Sequence, residues 1–260
     1  NEVNFRANRI QEEYPVIVGK SELEIQVFDR SGNETKEFVS VEREFSFVNQ
    51  FKQFDPLKPG LINAPINRNR IAIIIGIKDY KDIPDTKYAD RDAFTFIDYA
   101  NETLGINNSN IKYFINDDAG FFDFKTIDRW LSTKINKNTE VFFFYSGHGA
   151  NNNGQSILLP SDFRTDLIDD TSITKVSFLQ QIADQNPKHI FAFFDACFSG
   201  LSREGETLIA GLRNISIVDE EVPFSNITIF NSASDAEFSS DFDEVGHGLF
   251  SYYLMKGLEG

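Results

Sequence analysis

The chain has 260 residues, enough for one large domain or a medium one with a small companion. Its 40 Asp and Glu against 25 Lys and Arg give a net charge of −15, which repels phosphate and leaves nucleic acid out as a partner. Hydrophobic residues make up 41%, with Phe at 27 positions, so a substantial aromatic core is expected, and a single cysteine excludes an internal disulfide framework.

The first residue is Asn1, no signal-peptide pattern follows it, and no apolar run reaches the roughly 18 residues of a membrane span. The expectation is a piece of a longer chain with further domains upstream. Residues 1–54 form a short β segment. Val16-Ile17-Val18 and Leu23-Glu24-Ile25-Gln26-Val27-Phe28 read as strands, the second with period-two alternation. Asp29-Arg30-Ser31-Gly32-Asn33 is a turn, and Thr35 to Phe47 a return strand. Two or three strands cannot bury a core of their own. With its D-x-x-G-N turn this segment resembles the last hairpin of a bacterial immunoglobulin-like repeat.

Residues 55–69 hold Pro56, Pro59, Gly60 and Pro65 and read as a linker. Strands and helices then alternate through residues 70–260. Ile71 to Ile77 is a continuous apolar run, as in a strand covered on both faces. Asp92 to Leu104 has helical apolar spacing, Ile111 to Ile115 is a strand, and Phe124 to Ile135 a helix. Val141 to Tyr145 is a third strand in this region, Val176 to Ala183 a helix, Ile190 to Phe194 a fourth strand and Ile227 to Phe230 a fifth. Gly248 to Leu258 reads as a closing helix. Such alternation predicts an α/β fold with a mainly parallel sheet flanked by helices, and active sites of such sheets gather beyond the carboxyl ends of the strands.

Two strands run into reactive residues at that end. One leads into Ser146-Gly147-His148-Gly149, the other into Asp195-Ala196-Cys197-Phe198-Ser199-Gly200. If the strands are neighbours, His148 and Cys197 emerge side by side. A thiol needs a base within hydrogen-bond reach to become a thiolate near neutral pH. The glycines flanking His148 let a peptide approach, and the amides of Gly149 and Cys197 are candidate oxyanion donors. Taken singly, a histidine after an apolar strand or a buried cysteine is more often structural. The two together, each ending a buried strand among small residues, point to a nucleophile and its base.

Tyr145-Ser146-Gly147-His148-Gly149 and Asp195-Ala196-Cys197-Phe198-Ser199-Gly200 resemble the two signature segments of metacaspases and bacterial orthocaspases, within the caspase-like cysteine peptidases. Supporting matches are Ile74-Ile75-Gly76-Ile77 with Tyr80, Tyr88-Ala89-Asp90-Arg91-Asp92-Ala93, and Gly246-His247-Gly248-Leu249-Phe250-Ser251. His148 and Cys197 are 49 residues apart, and in caspases the histidine lies about 50 residues before the nucleophile. The resemblance implies a caspase-like three-layer sandwich over residues 70–260. It also implies a cysteine endopeptidase that needs no cofactor and acts on peptides or proteins.

Caspases usually carry Gln where this chain has Asp195; metacaspase-like enzymes carry Asp, which implies cleavage after Arg or Lys. A buried carboxylate suits a guanidinium fork. Asp85, in the loop after the first strand of the peptidase region, is a candidate second pocket carboxylate, with a solvated loop charge as its rival role. Asp90 and Asp92 read most simply as residues of a helix N-terminus. Some metacaspases are activated by calcium, and Asp162, Asp169, Asp170 and Glu204 supply hard oxygen ligands for that ion, although their spacing matches no calcium loop. His189 and His247 lack companion ligands, so a zinc site is not expected, and His247 reads as a packing or capping residue.

Leu201 to Asn226 is a long aperiodic stretch in which Arg203 and Arg213 are candidate self-cleavage points. Two other readings compete with the metacaspase-like enzyme. One is a catalytically silent caspase-like interaction module, which an intact Cys–His pair argues against. The other is a gingipain-like or clostripain-like peptidase on a related fold.

Overall fold

The computed structural model describes residues 19–28, 34–43, 54–198, 222–232 and 241–260. They fall into two units, residues 1–54 and residues 55–260. In the first unit, strands β1 (Gly19–Phe28) and β2 (Glu34–Arg43) pair antiparallel, from Gly19 opposite Arg43 to Phe28 opposite Glu34. The short strand expected at Val16–Val18 and the end of the return strand at Phe47 lie outside the described residues.

In the second unit the elements follow in chain order. They begin with β3 (Arg70–Gly76), α1 (Ala89–Asp98), β4 (Ile111–Ile115), α2 (Phe121–Thr126), α3 (Asp128–Lys134) and β5 (Glu140–Ser146). Next come β6 (Gly149–Asn152), β7 (Gln155–Leu158), α4 (Ile168–Thr171), β8 (Ile173–Thr174), α5 (Lys175–Ala183) and β9 (His189–Asp195). The last are β10 (Ile227–Asn231), β11 (Asp241–Phe242), β12 (His247–Gly248) and α6 (Leu249–Gly257).

The main sheet has the order β10-β9-β5-β3-β4, and every pairing in it is parallel. Alternation along its inner strands divides their side chains between two cores. On one face Ile71, Ile73, Ile75, Phe143, Tyr145 and Phe194 pack against α2, α3 and α5 through Phe124, Leu131 and Phe178. On the other, Ala72, Ile74, Phe142, Phe144 and Phe193 meet α1 and α6 through Phe96 and Met255. The aromatic surplus sits at these contacts: the Phe96 and Phe144 rings stack at 4.5 Å. The result is the expected three-layer α/β sandwich, preceded by a short β segment.

Local differences have local causes. The helix expected over Asp92 to Leu104 starts at Ala89 and finishes as a π-helical turn over Tyr99–Thr103. The helix expected over Phe124 to Ile135 is two short helices meeting at Ile127. Residues 55–69, expected as a linker, are fastened to this unit. Tyr252 Oη donates to the Asp55 carbonyl at 2.8 Å, and the Lys58 amide donates to the Glu259 carboxylate at 2.8 Å. Leu57 packs on the core beside α1. Prolines fix φ and remove donors, but they do not stop an extended stretch from docking.

β6, β7 and β8 form a small antiparallel sheet of their own. Among the described residues no helix is long and apolar enough to cross a membrane.

Candidate active site

β5 and β9 are neighbours in parallel register, with Ser146 opposite Asp195. His148 and Cys197 each lie two residues beyond that pair, past the carboxyl ends of the strands. Both are buried, at 5% exposure each. The two turns touch directly: the Gly147 amide donates to the Asp195 carbonyl at 3.3 Å. A Cβ on Gly149 would stand 2.8 Å from the Phe198 ring and 3.1 Å from the Cys197 carbonyl oxygen. Only glycine admits so close an approach, so the residue after the histidine lies against the backbone of the cysteine.

The histidine turn is fixed from several sides. The His148 amide donates to Tyr80 Oη at 2.8 Å, and the Tyr80 and His148 rings lie 4.9 Å apart. The His148 carbonyl accepts from Tyr145 Oη at 2.6 Å and from the Leu159 amide at 3.2 Å. Its ring Nε2 bonds the Pro84 carbonyl oxygen at 2.8 Å. A carbonyl only accepts, so Nε2 carries the hydrogen, and a neutral ring keeps its lone pair on Nδ1. The group that holds the imidazole is a main-chain carbonyl, where residue type gives no signal in the sequence.

The turn at the cysteine is supported by Lys175, at the start of α5. Its ammonium lies 4.5 Å from the Phe194 ring centroid and 4.8 Å from that of Phe198, and it donates to Asn231 Oδ1 at 3.0 Å. Such stacking suits a buried cation.

Asp195 is fully buried and accepts from Ser251, through Oγ at 2.6 Å and the amide at 3.3 Å. Ser251 lies in the first turn of α6, where the helix dipole favours an anion. Asp85 Oδ1 accepts from the Tyr80 amide at 3.0 Å, which ties the loop that carries Tyr80 and Pro84. The carboxylate near Asp195 is Asp92, also fully buried. It accepts from His247 Nδ1 at 2.7 Å, from the Gly248 amide at 3.1 Å and from Ser146 Oγ at 3.4 Å. A Cβ on Gly248 would collide with Asp195 Oδ2 and stand 3.0 Å from Asp92 Oδ2, so this glycine sits between the two acids. From sequence Asp92 reads as a helix N-terminal residue. It does occupy the first turns of α1, but its partners come from 54 to 156 residues away.

The other expected site residues are dispersed. Asp162 Oδ1 accepts from the Phe121 amide at 2.8 Å, at the start of α2. Asp169 Oδ1 accepts from Asn152 Nδ2 at 2.7 Å, and Asp170 lies in the single turn α4. Glu204, Arg203 and Arg213 lie outside the described residues. Among the described residues no group of three or more His, Cys, Asp or Glu side chains is placed to hold a metal ion. His189 bonds Thr228 Oγ1 at 2.9 Å at the far end of β9.

Comparison with known proteins agrees with this architecture. The fold is similar to the crystal structure of a protein from Geobacter sulfurreducens, with a TM-score of 0.51 and 14% identity over 72% of this chain and 81% of that one. The Drosophila initiator caspase Dronc is also similar, with a TM-score of 0.44 and 14% identity over 80% of this chain and 72% of that one. No curated protein matches. The model of the caspase domain matches residues 69–260, and the chain therefore belongs to the caspase domain family of cysteine peptidases.

Proposed function

We propose that the chain is a cysteine endopeptidase that cleaves peptide bonds after Arg or Lys, with Cys197 as nucleophile and His148 as its base. The observation that carries this reading is the bond between His148 Nε2 and the Pro84 carbonyl. It leaves Nδ1 as the basic nitrogen, on a turn packed against that of Cys197.

The steps follow from these groups. Nδ1 takes the proton of the Cys197 thiol as sulfur attacks the substrate carbonyl carbon. The Sγ–C bond forms and the carbonyl oxygen gains negative charge, stabilised by the amides of Gly149 and Cys197. As the C–N bond breaks, Nδ1–H protonates the leaving amine. Water then attacks the acyl-enzyme, giving its proton to Nδ1. The C–S bond breaks, and the acid and the thiol are regenerated.

Asp195 and Asp92 are the groups we assign to the substrate's basic side chain. Two neighbouring buried carboxylates repel each other, and a guanidinium whose two edges reach both acids offsets that repulsion with charge-assisted contacts. Asp85 is not part of this assignment, because it organises the loop.

The test is fluorophore release from peptides ending in Arg, Lys or Asp, with calcium or chelator present, comparing the parent with Cys197→Ala and His148→Ala. Cleavage after Arg and Lys that both substitutions abolish is expected. Cleavage after Asp would overturn the pocket assignment. No cleavage under any condition would favour the silent interaction module.

A further inference from the structure

One short segment, residues 247–251, grips both pocket acids. His247 and Gly248 hold Asp92, and Ser251 holds Asp195. The hairpin that carries His247 is fastened to the α1 end of the fold at two points. At its outer point Lys87 Nζ pairs with Asp243 at 2.7 Å, and both side chains are well exposed, so solvent screens the contact. At its inner point His247 Nδ1 meets Asp92 Oδ1 with 6% and 0% of the side chains exposed. Tyr88 Oη also donates to Asp243 at 2.7 Å at the outer point, but the inner contact is the one shielded from solvent.

The donors to Asp92 differ in kind. Gly248 offers a backbone amide to both carboxylate oxygens, at 3.3 Å and 3.1 Å. Ser146 offers a hydroxyl at 3.4 Å. Of these three donors His247 makes the shortest bond, at 2.7 Å, from a ring held by the β12 backbone. A carboxylate with no exposure depends on its donors to remain ionised and aimed. Losing the bond from His247 frees the carboxylate to rotate, which turns its oxygens away from the direction in which a cationic side chain would meet them.

We infer that His247 is a positioning residue for specificity: it holds Asp92 as an oriented carboxylate, so that the Asp92–Asp195 pair accepts a guanidinium or ammonium group. This rests on the assignment of that pair to the basic side chain. His247 does not touch the reacting atoms in this scheme and acts only through Asp92. The shape of the bond also sets what can replace it. Asparagine carries its Nδ2 donor at about the same distance along the side chain as Nδ1 of histidine, whereas alanine offers no donor.

The experiment measures steady-state cleavage of Arg-ended peptides by the parent, His247→Ala and His247→Asn, with the rate of Cys197 alkylation by iodoacetamide as a readout that needs no pocket. His247→Ala is expected to raise KM roughly tenfold or more while kcat stays within about threefold, the size of loss of one charged hydrogen bond. His247→Asn should recover most of that loss. Alkylation should proceed at the parent rate in both variants. An unchanged KM in His247→Ala overturns the inference while leaving the basic-residue reading intact. If His247→Ala folds poorly, as slowed alkylation and a lowered melting point would reveal, the Asn variant decides. Parent-like KM in the Asn variant then supports the donor role, and a KM as poor as that of the Ala variant overturns it. A parent enzyme that ignores Arg and Lys peptides overturns both readings together, and its preferred residue shows which group the pocket takes instead.

Discussion

His148 and Pro84 are joined by a 2.8 Å bond from the ring to the main chain, across 64 residues. The proline is part of the loop after β3, so the orientation of the His148 ring, two residues past β5, is set from the strand beside it. A carbonyl cannot be deleted by substitution, which makes the loop that presents it the thing to perturb.

Tyr80 is the side chain of that loop most directly engaged, since its hydroxyl receives the His148 amide. Tyr80→Phe keeps the ring against the imidazole and removes the acceptor. It is expected to lower kcat roughly tenfold, in line with one buried hydrogen bond, with KM little changed. Steady-state kinetics on an Arg-ended peptide would check this, and an unaltered kcat would remove Tyr80 from the positioning of the base.

The three acidic residues near the site should separate sharply. Asp92→Asn and Asp195→Asn are each expected to lower kcat/KM for Arg peptides by about a hundredfold or more, because a buried charge loses its partner. Asp85→Asn should cost only a few-fold, since it touches a loop amide. Equal losses in all three would return Asp85 to the pocket.

Gly149→Ala places a methyl against the Phe198 ring and the Cys197 carbonyl. Overpacking of this kind is worth about 1–3 kcal/mol, which urea unfolding would register. Because the displaced group is the turn of Cys197, the proposed nucleophile, the loss in kcat should exceed what the stability change alone suggests. A variant with parent-like kcat would show that the two turns move independently.

At the opposite end of the sheet, hydrogen bonds from Lys188 and then Arg70 hold the Glu140 carboxyl below its ordinary value of 4.5. A carboxyl depressed in the folded state stabilises the protein above its unfolded value, and that contribution disappears as pH falls through the folded value. Glu140→Gln is therefore expected to lose on the order of 1 kcal/mol at pH 7. The gap from the parent should close in strongly acidic buffer. Denaturant titrations at both pH values test it; a gap that persists in acid would point to packing rather than charge.

The strands of the main sheet were legible because β3, β5 and β9 are buried on both faces and read as unbroken apolar runs. His148 and Cys197 were legible for the same reason, since each follows such a run. What escaped was whatever depends on distant contact. The first-turn position of Asp92 in α1 explains it locally, and nothing nearby announces His247 or Gly248. The β6–β7 hairpin is different, because it did carry a signal. Asn153-Gly154 joins its strands with φ of 52° and 86°, the two-residue turn such a dipeptide favours, yet the polar Gly149–Asn152 strand hid it.

The register of β5 against β9 has a consequence for how this molecule tolerates change. With Ser146 opposite Asp195, the placement of His148 and Cys197 is written as a count of two residues past each strand, and the length of the chain that joins the two strands carries none of it. Segments spliced into the crossover between residues 160 and 188 leave the count intact. One residue added between Tyr145 and His148 advances the imidazole by about 3.3 Å and turns it to the other face of the sheet. The crossover is thus the place where length can drift, and the two short tails beyond the strands are where it cannot.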